Sequence, residues 1–322
     1  MRRRDFTLLF GGGVLLLPSA LRAQQQRPYA VGLLASQPLP PIQRFVRKLR
    51  DYGYIEGENL RLHARYAEGR DERYPDLAAE LVKIPVDLIV SQGTPAALAA
   101  KHATTSIPIV VGGSADPVSA GIVPNLARPG GNITGFSTQN VDLEGKRLEL
   151  LKDLVPQLAR VGVLANVANP VLVAQLENIR STAEALRVKV EVFEVRSTME
   201  VASALENLQA ARPDGVVVTA DFLLMSKRIE IVTALTNARL PAVYPFREYA
   251  SVGGLAMLGV DLGALFERVA GYVDKILKGA KPGELPVQLA TQFELIMNLK
   301  ASATIGLTIP PALVARADEV ME

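Results

Sequence analysis

Apolar and polar positions follow two periods along the chain, and the change from one to the other predicts its secondary structure. Residues 86–90, VDLIV, form an almost continuous apolar run, which is typical of a strand buried on both faces. An Ala-rich segment with high helix propensity follows a turn at residues 91–93. Thr94 lies where a helix N-cap is expected, and Pro95 lies at the first helical position. The stretch therefore predicts a strand, a tight turn and a capped helix.

This unit recurs in two consecutive series. The first series has strands predicted at residues 29–34, 60–66, 86–90, 107–112 and 133–137, with helices at 42–52, 73–83 and 94–103. The second series follows a charged helix at 144–154 and has strands at 161–164, 188–195, 215–219, 241–244 and 255–258, with helices at 171–186, 199–211 and 226–238. Ser226 is the predicted N-cap of the last of these helices.

The end of the chain adds a long helix at residues 262–277, edge strands at 287–289 and 293–297, and a helix at 299–305. Alternating strands and helices predict parallel sheets joined by right-handed crossovers. Two such series predict an α/β protein with two Rossmann-like lobes. A cleft between their carboxyl edges is where a small molecule is expected to bind.

The first 23 residues have the pattern of an export signal. Arg2, Arg3 and Arg4 precede a short apolar core at residues 8–17, and small residues follow it. The sequence RRDF resembles a twin-arginine signal, and an ordinary secretory signal is the alternative. We therefore expect a periplasmic protein that is exported, by the twin-arginine route, and is not anchored in the membrane after the signal is removed.

Composition narrows the class of protein. A length of 322 residues suggests two lobes, and a net charge of +2 gives no argument for nucleic-acid binding. The chain has no cysteine, so it can form neither a disulfide nor a thiolate site, and no lipid can be attached to a cysteine.

Groups for catalysis are scarce. The two histidines, His63 and His102, lie in a predicted strand and an Ala-rich helix, where a structural or solvent-facing position is expected. The sequence has no HExxH, GxSxG or post-strand GxGxxG motif. No metal, cofactor or catalytic residue is therefore predicted, and an enzyme is the least favoured interpretation of the fold.

Hydrogen-bonding residues instead cluster at the predicted carboxyl ends of strands. The free N–H groups at residues 93–95, with the Thr94 hydroxyl, would suit a carboxylate, although a helix cap without a ligand fits them equally well. The aromatic residues Phe222, Tyr244 and Phe246 are placed to stack on a ligand or to pack in the core. The polar candidates, each of which also fits a turn or cap, are Ser36, Gln37, Gly93, Thr94, Ser114, Asp116, Ser137, Asn166, Asp221, Arg247 and Glu248.

Several of these segments together resemble a known family. The segments VDLIVSQGTPAALAAKHAT, IPIVVGGSADPV, ARPGGNITG, RLPAVYPFREYASVGGLAMLGVD and QFELIMNLK, with IGLTIPP near the end, are similar to those of ABC-transporter substrate-binding proteins related to the tryptophan- and tyrosine-binding lipoproteins. The resemblance extends from Tyr29 to the C-terminus. The chain departs from the lipoproteins in having no cysteine, so it is expected to be freely soluble.

The resemblance implies a type I periplasmic-binding-protein fold whose chain crosses three times between its lobes. The first lobe would contain residues 28–137 and 262–280, and the second would contain residues 138–261 and 284–322. It also implies a monomer that serves an ABC permease and its ATPase, without catalysis.

The resemblance further implies a ligand site in the cleft. Gly93, Thr94, Ser114 and Asp116 would hold a carboxylate and other polar ligand atoms, and Ser36 and Gln37 would face the same cleft. Asp221 and residues 244–248 would close over the ligand from the second lobe. Studied relatives hold aromatic amino acids there.

The leading hypothesis is a solute-binding protein that captures an amino acid or another small carboxylate by hinge closure. A sensory module for a membrane receptor or kinase would use the same fold, and the sequence does not separate these two functions. A repressor of similar fold is excluded because the export signal occupies the place of a DNA-binding helix-turn-helix.

Overall fold

The structure, a computed structural model, describes residues 27–322, so the predicted export signal lies outside the described residues. These residues form two α/β lobes, each built around one sheet. No helix within residues 27–322 combines the length and apolar character needed to cross a membrane.

The first lobe has a six-stranded parallel sheet in the order β11-β5-β4-β3-β1-β2. This 2-1-3-4-5 order is that of doubly wound sheets, which bind ligands at their carboxyl edge. Its strands are β1 (Tyr29–Ala35), β2 (Leu60–Tyr66), β3 (Leu88–Gln92), β4 (Ile109–Ser114), β5 (Ile133–Ser137) and β11 (Gln288–Leu289). Its helices are α1 (Pro40–Asp51), α2 (Tyr74–Val82), α3 (Gly93–Ala103) and α10 (Leu262–Leu277), with a short 3₁₀ helix at Asp71–Arg73.

The second lobe repeats this strand order and adds two strands at its edge, giving β7-β6-β8-β9-β10-β12-β13. Its strands are β6 (Arg160–Asn166), β7 (Lys189–Val195), β8 (Gly215–Val218), β9 (Ala242–Tyr244), β10 (Ala256–Val260), β12 (Phe293–Asn298) and β13 (Glu319–Met321). Its helices are α4 (Asn140–Leu154), α5 (Leu172–Leu186), α6 (Val201–Ala211), α7 (Phe222–Ser226), α8 (Arg228–Asn237), α9 (Arg247–Ala250), α11 (Leu299–Ile305) and α12 (Pro311–Arg316).

The second sheet differs from the prediction at its edge. β12 pairs antiparallel with β10, because the chain enters it directly from the first lobe without a crossover helix. The strand β13, which the sequence pattern did not predict, pairs parallel with β12. Only the edge of the sheet is therefore mixed.

Three segments connect the lobes, at residues 137–140, 260–262 and 289–293, and they are called the hinge below. The second of them leads into α10, which packs against α1 in the first lobe, with Phe266 and Val269 in the same apolar cluster as Phe45. The expected second-lobe segment 284–322 begins too early, because β11 pairs with β5 of the first sheet. The chain returns to the second lobe only after Leu289.

The burial of the strands determines where the first lobe can contact a ligand. All residues of β3 and β4 are buried, because helices cover both faces of the first sheet. The strand ends are then the place where this lobe can present polar groups to a ligand. The corresponding ends of the second sheet face them across the cleft, as the cavity described below shows.

Two predicted helix starts are wrong. The helix α3 begins at Gly93, with Gln92 in the N-cap position, so Thr94 lies inside the first turn. Ser226 ends α7 and donates to the carbonyl oxygen of Leu223, at 2.6 Å, instead of capping a helix. The helix predicted at 226–238 is α8, which begins at Arg228, and Asp221 caps the separate short helix α7 before it.

Candidate functional site

A cavity lies between the carboxyl edges of the two sheets, where doubly wound α/β lobes bind ligands. Both lobes and the hinge form its walls. The first lobe contributes Asp71, Tyr74, Gln92, Gly93, Thr94, Pro95, Gly113 and Ala115; the hinge contributes Thr138 and Asn140; and the second lobe contributes Asn169, Ala220, Asp221, Phe222, Leu223 and Phe246.

Gln92 presents a hydrogen-bond donor to this cavity. It is the last residue of β3 and is 1% exposed. Its Oε1 accepts a hydrogen bond from the backbone N–H of Ser36, at 3.2 Å, and this assigns the other end of the amide as Nε2. Nε2 is buried and has no hydrogen-bond partner among residues 27–322. Because an unpaired buried donor is costly, this amide is suited to an acceptor atom of a ligand.

The start of α3 adds further donors beside Gln92. Gly93 has a φ of +79°, which places the chain in the left-handed region and turns it sharply from strand into helix. The Thr94 hydroxyl lies 2.9 Å from the Ser114 hydroxyl, so the side chain links the ends of β3 and β4. The first N–H groups of the helix lack intrahelical partners and carry partial positive charge. This corner suits a carboxylate.

Asn140 forms the hinge side of the cavity. Its Nδ2 donates to the Thr138 hydroxyl at 2.9 Å, and its Oδ1 accepts from Nη2 of Arg147 at 2.6 Å. The Arg147 side chain is fully buried, and its Nε donates to the carbonyl oxygen of Leu258, at 2.8 Å. Arg147 therefore fixes the orientation of a cavity-lining amide from behind.

Glu144 carries this buried network to the second lobe. It is fully buried and pairs with Nη1 of Arg147 at 2.9 Å. Its Oε1 also accepts from the backbone N–H of Ala220, at 2.9 Å, and from Nε2 of Gln175. Burial raises the pKa of Glu144, and the Arg147 guanidinium opposes that increase. The network thus ties the hinge to the strand end that precedes Asp221.

Asp221 is the central polar group of the second-lobe wall. Its Oδ1 accepts from the backbone N–H groups of Leu223 and Leu224, at 2.7 and 3.2 Å, which caps α7. Its Oδ2 accepts from Nδ2 of Asn169 at 2.8 Å and from Nδ2 of Asn166 at 3.1 Å. The carboxylate is 5% exposed and is held by four neutral donors.

A second carboxylate faces it from the first lobe. The Nδ2 group of Asn166 also donates to Asp71 Oδ2, at 3.0 Å, so one amide nitrogen contacts both acids. Burial and the nearby Asp221 charge raise the pKa of Asp71 to about 7, and burial raises the pKa of Asp221 as well. The two acids therefore leave unbalanced negative potential in the cavity wall.

Aromatic rings line the second-lobe wall. Phe222 and Phe246 are stacked at 14°, with their ring centroids 5.7 Å apart, and both border the cavity. A Cβ atom added to Gly93 would lie 2.7 Å from Cδ2 of Phe222, so the first-lobe backbone touches this ring. Tyr74 contributes a buried ring from the first lobe. These surfaces suit a flat apolar group.

Six of the predicted polar residues lie in or directly behind the cavity wall, among them Asn166, which donates to Asp71 and Asp221. Gly93, Thr94 and Asp221 line it. Ser114 is buried behind Thr94, to which it is hydrogen-bonded, and the Ser36 backbone supports Gln92. The strand-end rule therefore placed these positions at one edge.

Three others from the first lobe and hinge lie outside the lining. Asp116 accepts from the N–H groups of Val118 and Ser119, at 3.1 and 3.0 Å, so it holds a turn. Ser137 accepts from the backbone N–H of Gln139 in the hinge. Gln37 is half-buried in the turn before α1. These residues have the turn roles that the sequence left open.

The second-lobe prediction at residues 244–248 needs correction except at Phe246. The ring of Tyr244 stacks on Tyr249, at 4.9 Å between centroids, in the buried core. Arg247 pairs with Glu294 and Glu319, at 2.8 and 2.6 Å, and so joins α9 to the C-terminal strands. Half-buried Glu248 is also absent from the lining. Tyr244 ends β9, and Arg247 and Glu248 begin the short helix α9, so none of the three contributes to the lining.

Sequence reasoning missed six polar lining residues: Asp71, Tyr74, Gln92, Thr138, Asn140 and Asn169. Gln92 adjoins the predicted turn, and Asp71 follows the second predicted strand by five residues. The strand-end rule would have found both residues if the whole loop had been considered. Asn140 lies at the start of a helix that was predicted to begin four residues later, and nothing in its local pattern marks it.

The chain matches the model of the family described as ABC transporter substrate binding protein over residues 42–321. It is also 30% identical over 256 residues to a tyrosine-binding protein from Clostridioides difficile, covering 79% of this chain and 73% of that one.

Two solved structures have similar folds. A Streptococcus pneumoniae ABC domain in complex with L-Trp is 27% identical, with a TM-score of 0.82 over 91% of this chain and all of that one. The ligand-free, open structure of a substrate binding protein with adhesive properties from Clostridium difficile is 25% identical, with a TM-score of 0.60 over 91% of this chain and 99% of that one. With the strand order of both lobes, these likenesses confirm the expected type I periplasmic-binding-protein fold.

Proposed function

The chain belongs to the family of ABC transporter substrate-binding proteins, and from this we propose that it captures one free amino acid, preferably an aromatic one, between its lobes. The observation that supports this most is that the cavity lining combines unpaired hydrogen-bond donors with two carboxylates. The donors are at Gln92 and the start of α3, and the carboxylates are Asp71 and Asp221.

A zwitterion matches this combination. Its carboxylate would accept from Gln92 Nε2 and the first N–H groups of α3, and its ammonium would lie near the acids. A simple carboxylate would leave the two acids without a partner, and a sugar could donate to them but would leave their charge unbalanced. The cavity is therefore suited to an α-amino acid.

The aromatic preference is supported by Phe222, Phe246 and Tyr74, which offer ring faces beside the polar groups. Two relatives point in the same direction, since one is a tyrosine-binding protein and another was solved with L-Trp.

We further propose that the lobes close on the ligand by bending at the hinge. Contacts across the cleft support a closed form: the N–H of Thr198 donates to the carbonyl oxygen of Gly69 at 3.3 Å, and Gly93 touches Phe222. The TM-score to the L-Trp complex exceeds that to the open, ligand-free relative, although the two identities are similar. The ligand would stabilise closure because it contacts both walls only in this form.

The proposed place of action is outside the cytoplasmic membrane. The closed, loaded protein would be a monomer that delivers its amino acid to an ABC permease driven by an ATPase. Export through the predicted N-terminal signal is part of this proposal.

Isothermal titration with L-tryptophan, L-tyrosine, L-phenylalanine, L-leucine, L-glutamate and benzoate tests the ligand class. We expect one aromatic amino acid per chain and no heat from benzoate. Gln92→Leu, which removes the unpaired donor, should weaken that binding by about tenfold or more. Absence of binding by every amino acid, or equal binding by Gln92→Leu, would overturn the proposal.

A further inference from the structure

The two cavity acids come from opposite lobes. Asp71 belongs to the 3₁₀ helix after β2, and Asp221 caps α7 in the second lobe. Both carboxylates accept from the same Asn166 nitrogen, at 3.0 and 3.1 Å, so their oxygens lie within about 6 Å of each other. The lining residues from the described part of the chain include no lysine or arginine.

A buried donor in the same cavity indicates that this arrangement is built for a ligand. Gln92 is 1% exposed, its Nε2 has no partner among residues 27–322, and it lines the same cavity. That donor calls for an acceptor on the ligand, which leaves the acids to face the part of the ligand that carries positive charge.

Closure has an electrostatic cost at the acids. In an open cleft each carboxylate would be hydrated and distant from the other. In the closed form, burial and the Asp221 charge raise the pKa of Asp71 to about 7. Two nearby carboxylates in a poorly hydrated site cannot both remain ionised without a compensating positive charge.

Neighbouring charged groups do not provide that charge. Glu72 adds negative charge beside Asp71, whereas Arg196 lies in an adjoining groove and pairs with Glu194 at 2.9 Å. Tyr74 and Tyr249 face the acids, and burial raises the pKa of both phenols well above the ordinary value. Arg228 and Glu248 lie beyond Tyr249.

We infer that closure requires one positive charge between Asp71 and Asp221, supplied either by the ammonium group of the ligand or by a proton. This inference rests on the proposed function for the identity of the ligand. At neutral or alkaline pH, an empty protein would stay open, and an amine-bearing ligand would close it. In acid, the pair would take up a proton and the empty protein would close without a ligand.

The direction in which pH shifts the equilibrium between the open and closed forms follows from proton linkage. The raised pKa means that the closed empty form binds a proton more tightly than the open form, so lowering the pH through about 7 shifts the equilibrium towards closure. Replacing one carboxylate by an amide should have the same effect at every pH, because it removes the repulsion permanently.

Small-angle X-ray scattering of the ligand-free mature protein at pH 8 and pH 5.5 tests whether a proton can supply this charge. We expect wild type to have a smaller radius of gyration at pH 5.5, and both Asp71→Asn and Asp221→Asn to be compact at pH 8. Asp76→Asn removes an exposed carboxylate of α2 in the same lobe and should behave as wild type. A wild-type radius that is equal at the two pH values, or amide variants that match wild type at pH 8, would overturn the inference.

A pair of ligands tests whether the ligand ammonium can supply this charge. L-Tyrosine and 3-(4-hydroxyphenyl)propionate differ only in the amino group. At pH 8 we expect tyrosine to compact the protein, and the deaminated acid to bind about tenfold or more weakly without compacting it. Equal affinity and equal compaction by both would overturn the inference.

The two experiments distinguish failure of the inference from failure of the proposed function. If acid compacts the empty protein but no amino acid binds, the proposed function fails, and the claim that a proton permits closure is supported. If tyrosine and its deaminated analogue bind equally, capture of an aromatic amino acid stands, whereas the ammonium contact with the acids and the inference both fail.

Discussion

Gly93 shows how one residue can shape both the local chain and the contact between lobes. Its φ of +79° is available to glycine at little cost, and its missing side chain leaves room for the Phe222 ring. The sequence marked this turn through the run SQGTP, but the ring that fills the space comes from the other lobe. Local pattern could therefore predict the turn and not its partner.

Gly93→Ala should weaken amino-acid binding by about tenfold or more, because its Cβ would lie 2.7 Å from the Phe222 ring and hold the lobes apart. The same substitution should cost about 1–2 kcal/mol of unfolding free energy for the left-handed backbone. Titration with L-tyrosine and urea denaturation measure the two effects.

Gly57→Ala is the matched control for Gly93→Ala. Gly57 has a φ of +88°, and nothing lies within 4 Å of the position that an added Cβ atom would take. It should therefore show the backbone cost without the loss of affinity. Equal loss of affinity in both variants would show that contact with Phe222 is not the cause.

The polar residues of the site were partly predictable. Parallel strands end at one edge, so Thr94, Ser114 and Asp221 could be grouped from their sequence positions alone. Which strand-end residues hold turns, as Asp116 does, depends on local hydrogen bonds that the pattern does not contain. Asp71 becomes a cavity residue only through contact with a distant segment, since Asn166 of the other lobe donates to it.

At the scale of elements, α4 is the helix that joins the hinge to the second lobe. Its Arg147 and Glu144 form a fully buried ion pair, although the sequence EGKRLELLKDL suggests only a charged amphipathic surface. Helical periodicity predicted the element. It did not reveal that this charged pair faces inward, because its partners, Leu258 in β10 and Ala220 after β8, are distant in the sequence.

Arg147→Met should destabilise the protein by about 3–5 kcal/mol, because it leaves the Glu144 carboxylate buried without its cation. The pKa of Glu144, already raised by burial, should rise further. The native state would then retain a proton that the unfolded state loses, so the loss of stability should increase with pH. Urea denaturation at pH 5 and pH 8 measures both effects.

The double variant Arg147→Met/Glu144→Leu is the control for this prediction. Removing both charges should restore much of the lost stability and remove its added pH dependence. Destabilisation equal to or greater than that of the single variant would show that packing, and not the unpaired charge, dominates.

At the scale of the whole molecule, the alternation of strands and helices was sufficient to predict two doubly wound lobes. The long helix α10 was predicted by its periodicity, and its place in the first lobe followed from the family resemblance. The pairing of β11 with the first sheet and the antiparallel entry of β12 were not predictable, since two-residue strands and edge pairings are fixed by long-range contacts.

The central claim is that one amino acid occupies the cavity enclosed by both lobes. Native mass spectrometry of the mature protein in an equimolar mixture of the twenty L-amino acids, with Gly93→Ala measured beside it, tests this claim most directly. We expect a single adduct with the mass of one aromatic amino acid on the wild-type protein, and a much reduced adduct on the variant. A wild-type spectrum without an adduct, or one with several amino acids bound equally in both proteins, would contradict it.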